Sequence, residues 1–491
     1  MPPTPLPIDA FVPRIVAEVS ARSNLVIVAA PGAGKTTRVP PGIFRAGVVP
    51  AGQHLLMLQP RRVAARAAAE RIAAEQGWRI PEEVGYQIRF ENRTTPRTPI
   101  RVITEGILTR MLLADPFLTG VGCVLIDEFH ERSIHTDLAL ALLREIQQTV
   151  RPELRIVVMS ATLDAEPVAR FLGDATIVAV PGRTFPVAIR HAPSNAVRLD
   201  EKMARAVAEV LHDAALDGGD ILGFLPGVGE IERTISLLGS AAASHDALLL
   251  PLHGSLPSAQ QQRALAPADR RKIILATNIA ETSLTIDGVT TVIDSGVARR
   301  ASYDADRGID QLQLQPISRA SADQRAGRAG RTAPGTCIRL WSASDHAARP
   351  AHDPPEIARI DLAPTLLALH NWGTVNPATF NWFEAPPADR LEAADELLKM
   401  LHAVKDGHIT PLGERMADIP APPRIARFLL AAAELRCVPD AARWAALLID
   451  HEAIDAVTPG HHVVQQWSAA ELSSDLAAYA AALRDLPRSA E

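Results

Sequence analysis

Two short segments constrain this chain more than any other feature. The run APGAGKTT (Ala30–Thr37) follows the apolar stretch LVIVA (Leu25–Ala29), and ninety residues later DEFH (Asp127–His130) follows CVLI (Cys123–Ile126). An apolar strand, a glycine-rich loop and a helix in succession form a cradle for phosphate. Gly32 and Gly34 let the backbone wrap closely, so that the N–H groups of Gly32, Ala33, Gly34, Lys35, Thr36 and Thr37 can point at phosphate oxygens. The helix starting near Lys35 adds its positive end. Lys35 is expected to reach the β- and γ-phosphates and Thr36 to ligate Mg²⁺. The chain has only five lysines against forty-five arginines, so a lysine at this position is not compositional noise. The usual first glycine of such a loop is Ala29.

Asp127 and Glu128 follow a strand that reads as buried, which places them at the carboxyl end of a parallel sheet, where ligands bind in open α/β folds. Asp127 is expected to hold Mg²⁺ through water and Glu128 to orient the attacking water. Alone, this acidic pair would read better as a turn capping the next helix. Its pairing with the loop at 32–37 points to nucleoside triphosphate hydrolysis, with ATP and Mg²⁺ as the ligands.

Further blocks follow in order, each beside a strand: QPRRVAARAAAER (Gln59–Arg71), TEGILTR (Thr104–Arg110), SAT (Ser160–Thr162), FLPGVGEI (Phe224–Ile231), LHGSL (Leu252–Leu256), ATNIAETSLTIDG (Ala276–Gly288) and QRAGRAGR (Gln324–Arg331). With this series the chain resembles a superfamily 2 helicase of the DEAH/RHA class. DEFH in place of DEAH, then ERSIHTD, VPGRTFPV, GDILGFLPGVGEI and APGTCIRLW, most resemble the bacterial HrpB-type ATP-dependent RNA helicases. The resemblance is strong over about residues 5–345 and looser over about 350–435.

It implies roles residue by residue. Gln324, Arg328 and Arg331 would face the γ-phosphate across a cleft, where permanently charged guanidinium groups suit a transferring phosphoryl group. Arg71 would stack on the base. Its usual aromatic partner aligns with Val297, so base selectivity is expected to be loose. Asp287 would contact the ribose and Ser283 would sense the γ-phosphate. Arg62, Thr104, Thr277 and Asn278 would grip a nucleic-acid backbone without reading its sequence. Ser160 and Thr162 would couple the lobes, although SATLDAE also suits a helix cap. His253 reads as structural.

The resemblance implies an RNA-stimulated ATPase moving 3′ to 5′ on single-stranded RNA. Two alternatives stay open: a DNA translocase, and a nucleotide-gated RNA clamp without unwinding. Net charge is −6, yet residues 59–110 hold ten arginines against six acids and residues 437–491 hold three against eight. A basic track within an acidic whole fits a narrow strand channel, while solvated helix faces remain the ordinary fate of such runs.

Apolar content of 47% supports sizeable cores, and three cysteines without metal spacing suit a reducing compartment. With no signal-like start and no bilayer-length apolar run, a cytoplasmic monomer is expected.

The fold class expected is α/β, two tandem RecA-like parallel-sheet domains followed by a small winged-helix-like domain and a helical segment. The boundaries expected are 1–178, 179–348, 349–420 and 421–491. Central strands are expected at Leu25–Ala30, His54–Leu58, Arg101–Thr104, Cys123–Ile126 and Ile156–Ser160. In the second lobe they are expected at Ile221–Leu225, Lys272–Ala276, Thr290–Ile293 and Thr336–Trp341. VPGRTFP (Val180–Pro186) reads as the linker, Ala298–Leu314 as a hairpin turning at Asp304–Gly308, and Gly407–Met416 as the wing. Family members continue well past residue 491, so a short form or a fragment is expected, with a partner protein able to complete the strand channel.

Overall fold

The computed structural model describes residues 5–89, 91–161, 165–181, 185–193, 198–216, 218–281, 286–304 and 309–449. Thr162 and Ser283 lie outside them, as does the hairpin turn at 305–308.

The first lobe is one eight-stranded sheet. Its strands are β1 (Asn24–Ala29), β2 (His54–Gln59), β3 (Val84–Ile88), β4 (Glu91–Arg93), β5 (Ile100–Thr104), β6 (Val121–Ile126), β7 (Arg155–Ser160) and β8 (Thr176–Val180). The order is β4-β3-β5-β2-β6-β7-β1-β8, parallel except for the β3–β4 pair. Helices α1 (Val12–Ala21), α2 (Lys35–Arg45), α3 (Arg62–Gln76), α4 (Glu105–Ala114), α5 (Ile134–Thr149) and α6 (Ala165–Phe171) make the crossovers. Central strands are apolar throughout because both faces are covered. Leu55–Leu58, Cys123–Ile126 and Ile156–Met159 are all buried. Ala64, Ala65, Ala68 and Ala69 give α3 a small-residue face packed into this core.

This strand order fixes the site. β7, which ends in Ser160, lies between β1 and β6. The phosphate loop and the DEFH loop therefore leave the same sheet edge on either side of the SAT segment. Ala29 ends β1 in extended backbone with no exposure, so glycine is not required there.

The second lobe begins with β9 (Val187–His191), α7 (Leu199–His212), β10 (Asp220–Phe224), α8 (Val228–Ser244), β11 (Leu248–Leu252), α9 (Ser258–Leu265), β12 (Lys272–Ala276) and β13 (Val289–Asp294). β14 (Val297–Asp304) and β15 (Ile309–Pro316) then form an antiparallel hairpin. α10 (Arg319–Ala326), β16 (Gly335–Arg339) and α11 (Ala343–Ala348) follow. The sheet order β11-β12-β10-β13-β16-β9 is parallel throughout.

Contacts divide the chain into a unit of residues 1–360 with 381–384, which holds both lobes, and a second unit of residues 361–380 with 385–491. The second unit contains α12 (Ala363–Trp372), α13 (Ala388–Met400), a hairpin of β17 (Val404–Lys405) and β18 (His408–Ile409), α14 (Pro411–Ala417), α15 (Pro423–Glu434) and α16 (Val438–Ile449). The wing is shorter than the expected Gly407–Met416. Asp406 and Gly407, at φ 50° and 79°, turn the hairpin, and Thr410 caps α14 by accepting from the Gly413 amide, which makes Pro411 onward helical. Among the described residues no helix is long and apolar enough to cross a membrane.

Candidate active site between the two lobes

The loop after β1 has the backbone that a phosphate cradle needs. Gly32 and Gly34 sit at φ 83° and 95°, and Gly34 is the N-cap of α2. The left-handed backbone of Gly34 favours glycine, and a Cβ there would also press on Leu6 Cδ1 at 2.7 Å. Lys35 is the first residue of α2 and is 4% exposed.

The predicted catalytic groups converge, although the chain separates them by about ninety residues. Lys35 Nζ donates to Glu128 Oε1 at 3.0 Å, and Thr36 Oγ1 donates to Asp127 Oδ2 at 2.6 Å. Gln59 Nε2 also donates to Asp127 Oδ2, at 2.7 Å, and the Glu128 amide donates to Asp127 Oδ1 at 2.9 Å. Thr36 and Asp127 are thus already paired oxygen donors, the hard ligand set that Mg²⁺ prefers.

The electrostatics separate the two acids. Burial works against the Glu128 carboxylate, but the Lys35 ammonium overcomes it and holds the group down to about 2. Burial, with the Glu128 charge beside it, pushes Asp127 up to about 6. Burial likewise opposes the Lys35 charge, and Glu128 and Asp127 more than offset it, so the lysine is raised above its ordinary value. Glu128 is therefore the permanent carboxylate of the pair.

His130 is buried, and burial lowers its pKa. Its Nδ1 accepts from the Ala161 amide at 3.4 Å and lies 3.5 Å from Glu128 Oε2. Accepting at Nδ1 requires the neutral ring with its proton on Nε2. The imidazole links the DEFH loop to the segment after Ser160, which is itself fully buried at the end of β7.

A cavity of about 530 Å³ opens between the lobes. Gly32, Gly34, Lys35, Thr36, Thr37, Arg71 and Glu128 line it from the first lobe, with Asp287 and Arg331 from the second. Burial brings the Arg331 guanidinium down to about 10, with Glu128 and Asp287 opposing, and it stays cationic at neutral pH. Arg328 is 3% exposed; burial and the nearby Arg331 charge lower its pKa, and its Nε donates to the Glu281 carbonyl at 2.9 Å.

Three placements bear on the sequence reading. Gln324, on α10, lines a second cavity and Arg331 the first. Val297 does not line the nucleotide cavity; it starts β14, and its carbonyl accepts from Arg325 Nη1 at 3.4 Å. The second-lobe surface present there is Gln262, Leu265 and Ala266, at and just beyond the end of α9. Arg71 is half exposed and held by Glu75, its Nε to Oε1 distance being 2.9 Å.

Three family models match successive parts of the chain. The DEAD/DEAH box helicase model matches residues 11–171 and the helicase conserved C-terminal domain matches 202–333. The winged-helix helicase associated domain, HA2, matches 396–421. A curated relative, the ATP-dependent RNA helicase HrpB of Escherichia coli (strain K12), is 41% identical over 452 residues, which is 90% of this chain and 54% of the relative. The crystal structure of the E. coli DEAH/RHA helicase HrpB aligns with a TM-score of 0.85 and 37% identity, covering 98% of this chain and 61% of that one. A crystal structure of the E. coli DExH-box NTPase HrpB aligns at 0.81 and 38%, covering 98% and 59%. The chain belongs to the DEAH/RHA helicases of HrpB type. It spans about half the length of the curated relative it matches.

In this chain a second cavity, of about 540 Å³, is also built by both lobes. Arg61 and residues 130–133 meet Asn278, Glu281, Gln324 and residues 352–356 there. Arg61 spans the cleft, donating to the Asn278 carbonyl at 2.9 Å and to Glu131 Oε2 at 3.2 Å. Of the expected strand contacts, Asn278 and Arg62 are exposed, and Thr104 and Thr277 are half-buried. All four lie at or just beyond the carboxyl ends of parallel strands, and Thr104, the last residue of β5, sits opposite Gln59 in register.

Gln59, Arg61 and His130 were not singled out from sequence. Their signal was positional only, since each lies within three residues of a motif residue that was.

Proposed function

We propose that this chain hydrolyses ATP and uses the cycle to move along single-stranded RNA, 3′ to 5′, opening duplexes in its path. The supporting observation is the assembly of Lys35, Thr36, Asp127 and Glu128 from one lobe and Arg331 from the other around a single cavity. Thr36 and Asp127 would hold Mg²⁺, which would supply positive charge against the triphosphate. Lys35 and the amides of residues 32–37 bind those phosphates. Glu128, fully ionised, orients a water whose oxygen attacks the γ-phosphorus while the bond to the β-bridging oxygen breaks. Arg331 stabilises the charge that spreads over the transferring group, with Arg328 supporting it from behind.

Because Arg331 reaches this site from the second lobe, closure of the cleft and hydrolysis are one event. Arg62, Thr104, Thr277 and Asn278, two on each lobe, then grip the strand backbone in alternation. The choice of RNA follows the E. coli relative, whose name specifies RNA.

Phosphate release from ATP is to be measured with no polymer, with single-stranded RNA and with single-stranded DNA, beside Glu128→Gln. RNA stimulation with a silent variant is expected, and the variant should retain ATP binding. Stimulation by DNA alone would replace the RNA reading, and turnover by Glu128→Gln would remove the role of Glu128. Duplexes with 3′ or 5′ overhangs test direction.

A further inference from the structure

Four residues, Asn381–Glu384, belong to the first unit although the chain on both sides of them forms the second. Two of them, Phe383 and Glu384, contact Phe129 and Arg132 of the DEFH turn. That loop is unusual: Glu128 and Arg132, at φ 53° and 50°, are left-handed non-glycine residues at either end of the short turn Phe129–Glu131. Such a conformation persists only where neighbours over-determine it.

The neighbours are specific. Phe129 is fully buried, and its ring meets Phe383 edge-on with centroids 5.4 Å apart. Phe383 meets Phe171 at 5.5 Å and 84°. The Arg132 guanidinium lies 4.7 Å from the Phe383 centroid and 5.9 Å from that of Phe129. Arg132 Nη2 donates to Asp137 Oδ2 and to Glu384 Oε2, each at 2.8 Å. The Arg132 carbonyl accepts from the Glu356 amide at 3.1 Å, and Glu356 Oε2 accepts from the Ile134 amide at 3.0 Å. An alanine in place of Phe129 would offer Phe383 no ring to pack on.

We propose that Phe383 and Glu384 are positioning residues for Glu128. By clamping Phe129 and Arg132, one on each side of the strained turn, they hold the Glu128 backbone left-handed and its carboxylate toward Lys35. The proposal rests on the reading of Glu128 as the water-orienting group. Neither residue touches the nucleotide cavity, so their effect falls on turnover and not on ATP affinity.

The test compares the parent, Phe383→Ala, Phe383→Tyr and Glu384→Gln. Steady-state ATP hydrolysis is read together with amide hydrogen exchange of peptides covering 127–133 and the strands of the first sheet. For Phe383→Ala, loss of two ring contacts and a cation–π contact is expected to lower kcat about tenfold with KM for ATP little changed. The same loss should speed exchange of 127–133 by about tenfold without touching the sheet. Phe383→Tyr keeps the ring and should restore both readouts. Parent-like kcat and exchange in Phe383→Ala overturn the proposal, and so does acceleration spread evenly over the lobe, which marks general destabilisation. If Phe383→Ala fails to fold, Glu384→Gln decides: faster exchange confined to 127–133 supports the clamp, and unchanged exchange refutes it. If the parent itself does not hydrolyse ATP, the proposed function fails while exchange still reports on the clamp.

Discussion

Replacing Glu105 by glutamine should make the protein's stability less dependent on pH, with a sign that can be worked out. Glu105 is the first residue of α4, directly after Thr104, and is 8% exposed. Burial raises its carboxyl from the ordinary 4.5 to about 8, with Glu131 and Glu356 adding and the hydroxyls of Thr136 and Ser133 opposing. Between those two values the folded chain holds a proton that the unfolded chain has lost. Stability from this group is therefore complete below about pH 4.5 and is lost as pH rises toward 8. At about 1.4 kcal/mol per tenfold in proton affinity, the upper bound is ~5 kcal/mol, of which roughly 3 to 4 kcal/mol disappears between pH 5 and 8. Glutamine stays neutral throughout and still accepts from the Thr136 hydroxyl, which bonds Glu105 Oε1 in the parent. Melting temperatures of parent and Glu105→Gln are to be compared across that range, so that other titrations cancel. The variant should gain on the parent as pH rises, by several degrees at about 2–4 °C per kcal/mol. A difference that stays flat, or that falls with pH, would show that Glu105 is ionised in the fold and would refute the reasoning.

Three further outcomes follow from the site. Arg325→Met should destabilise by about 3–5 kcal/mol in thermal melts, because it strands the carboxylates of Asp294 and Glu281, which Arg325 binds at 2.9 Å each. Lys35→Ala should abolish ATP binding in a nucleotide titration; retained binding would sink the phosphate-loop assignment. Leu265→Ala should alter the KM ratio between purine and pyrimidine nucleotides while Val297→Phe leaves it unchanged, since only Leu265 lines the cavity; the reverse result would restore Val297 as the base partner.

The central strands of both sheets were legible in the sequence because parallel strands covered on both faces are continuous apolar runs. The strands that escaped it lie at or beside the sheet edges. β9, at one edge, is mostly exposed and lacks an apolar run. β11, at the other, carries Pro251, which a central strand would exclude and an edge strand tolerates. β3, β4 and β8 are likewise outer strands of the first sheet. In the site, Lys35, Asp127 and Glu128 were legible because the loop chemistry demands their neighbours in sequence. Gln59 and Arg61 were not, since their partners Asp127 and Asn278 lie 68 and 217 residues away and only the fold brings them together.

The proposed motor needs its nucleotide site and its strand site to change together, and the two interlobe cavities share short segments. Gln59 lines the first and Arg61 the second; Glu128 lines the first and His130 and Glu131 the second. On the other lobe Arg331 lines the first and Gln324 the second. Each pair is joined by a few residues of backbone, too short to absorb a displacement by bending. The longest of these links, from Gln324 to Arg331, is pinned by Arg325, which is 1% exposed and held between Glu281 and Asp294 above the Phe224 ring at 4.8 Å. Glu281 also accepts from the Ser321 hydroxyl at 2.6 Å, and its carbonyl accepts from Arg328. These bonds tie the segment between Gln324 and Arg331 to the second-lobe sheet. Arg325 itself lines neither cavity, so Arg325→Met removes the pin without removing a lining side chain, and it should uncouple RNA stimulation from ATP hydrolysis at temperatures where the protein remains folded.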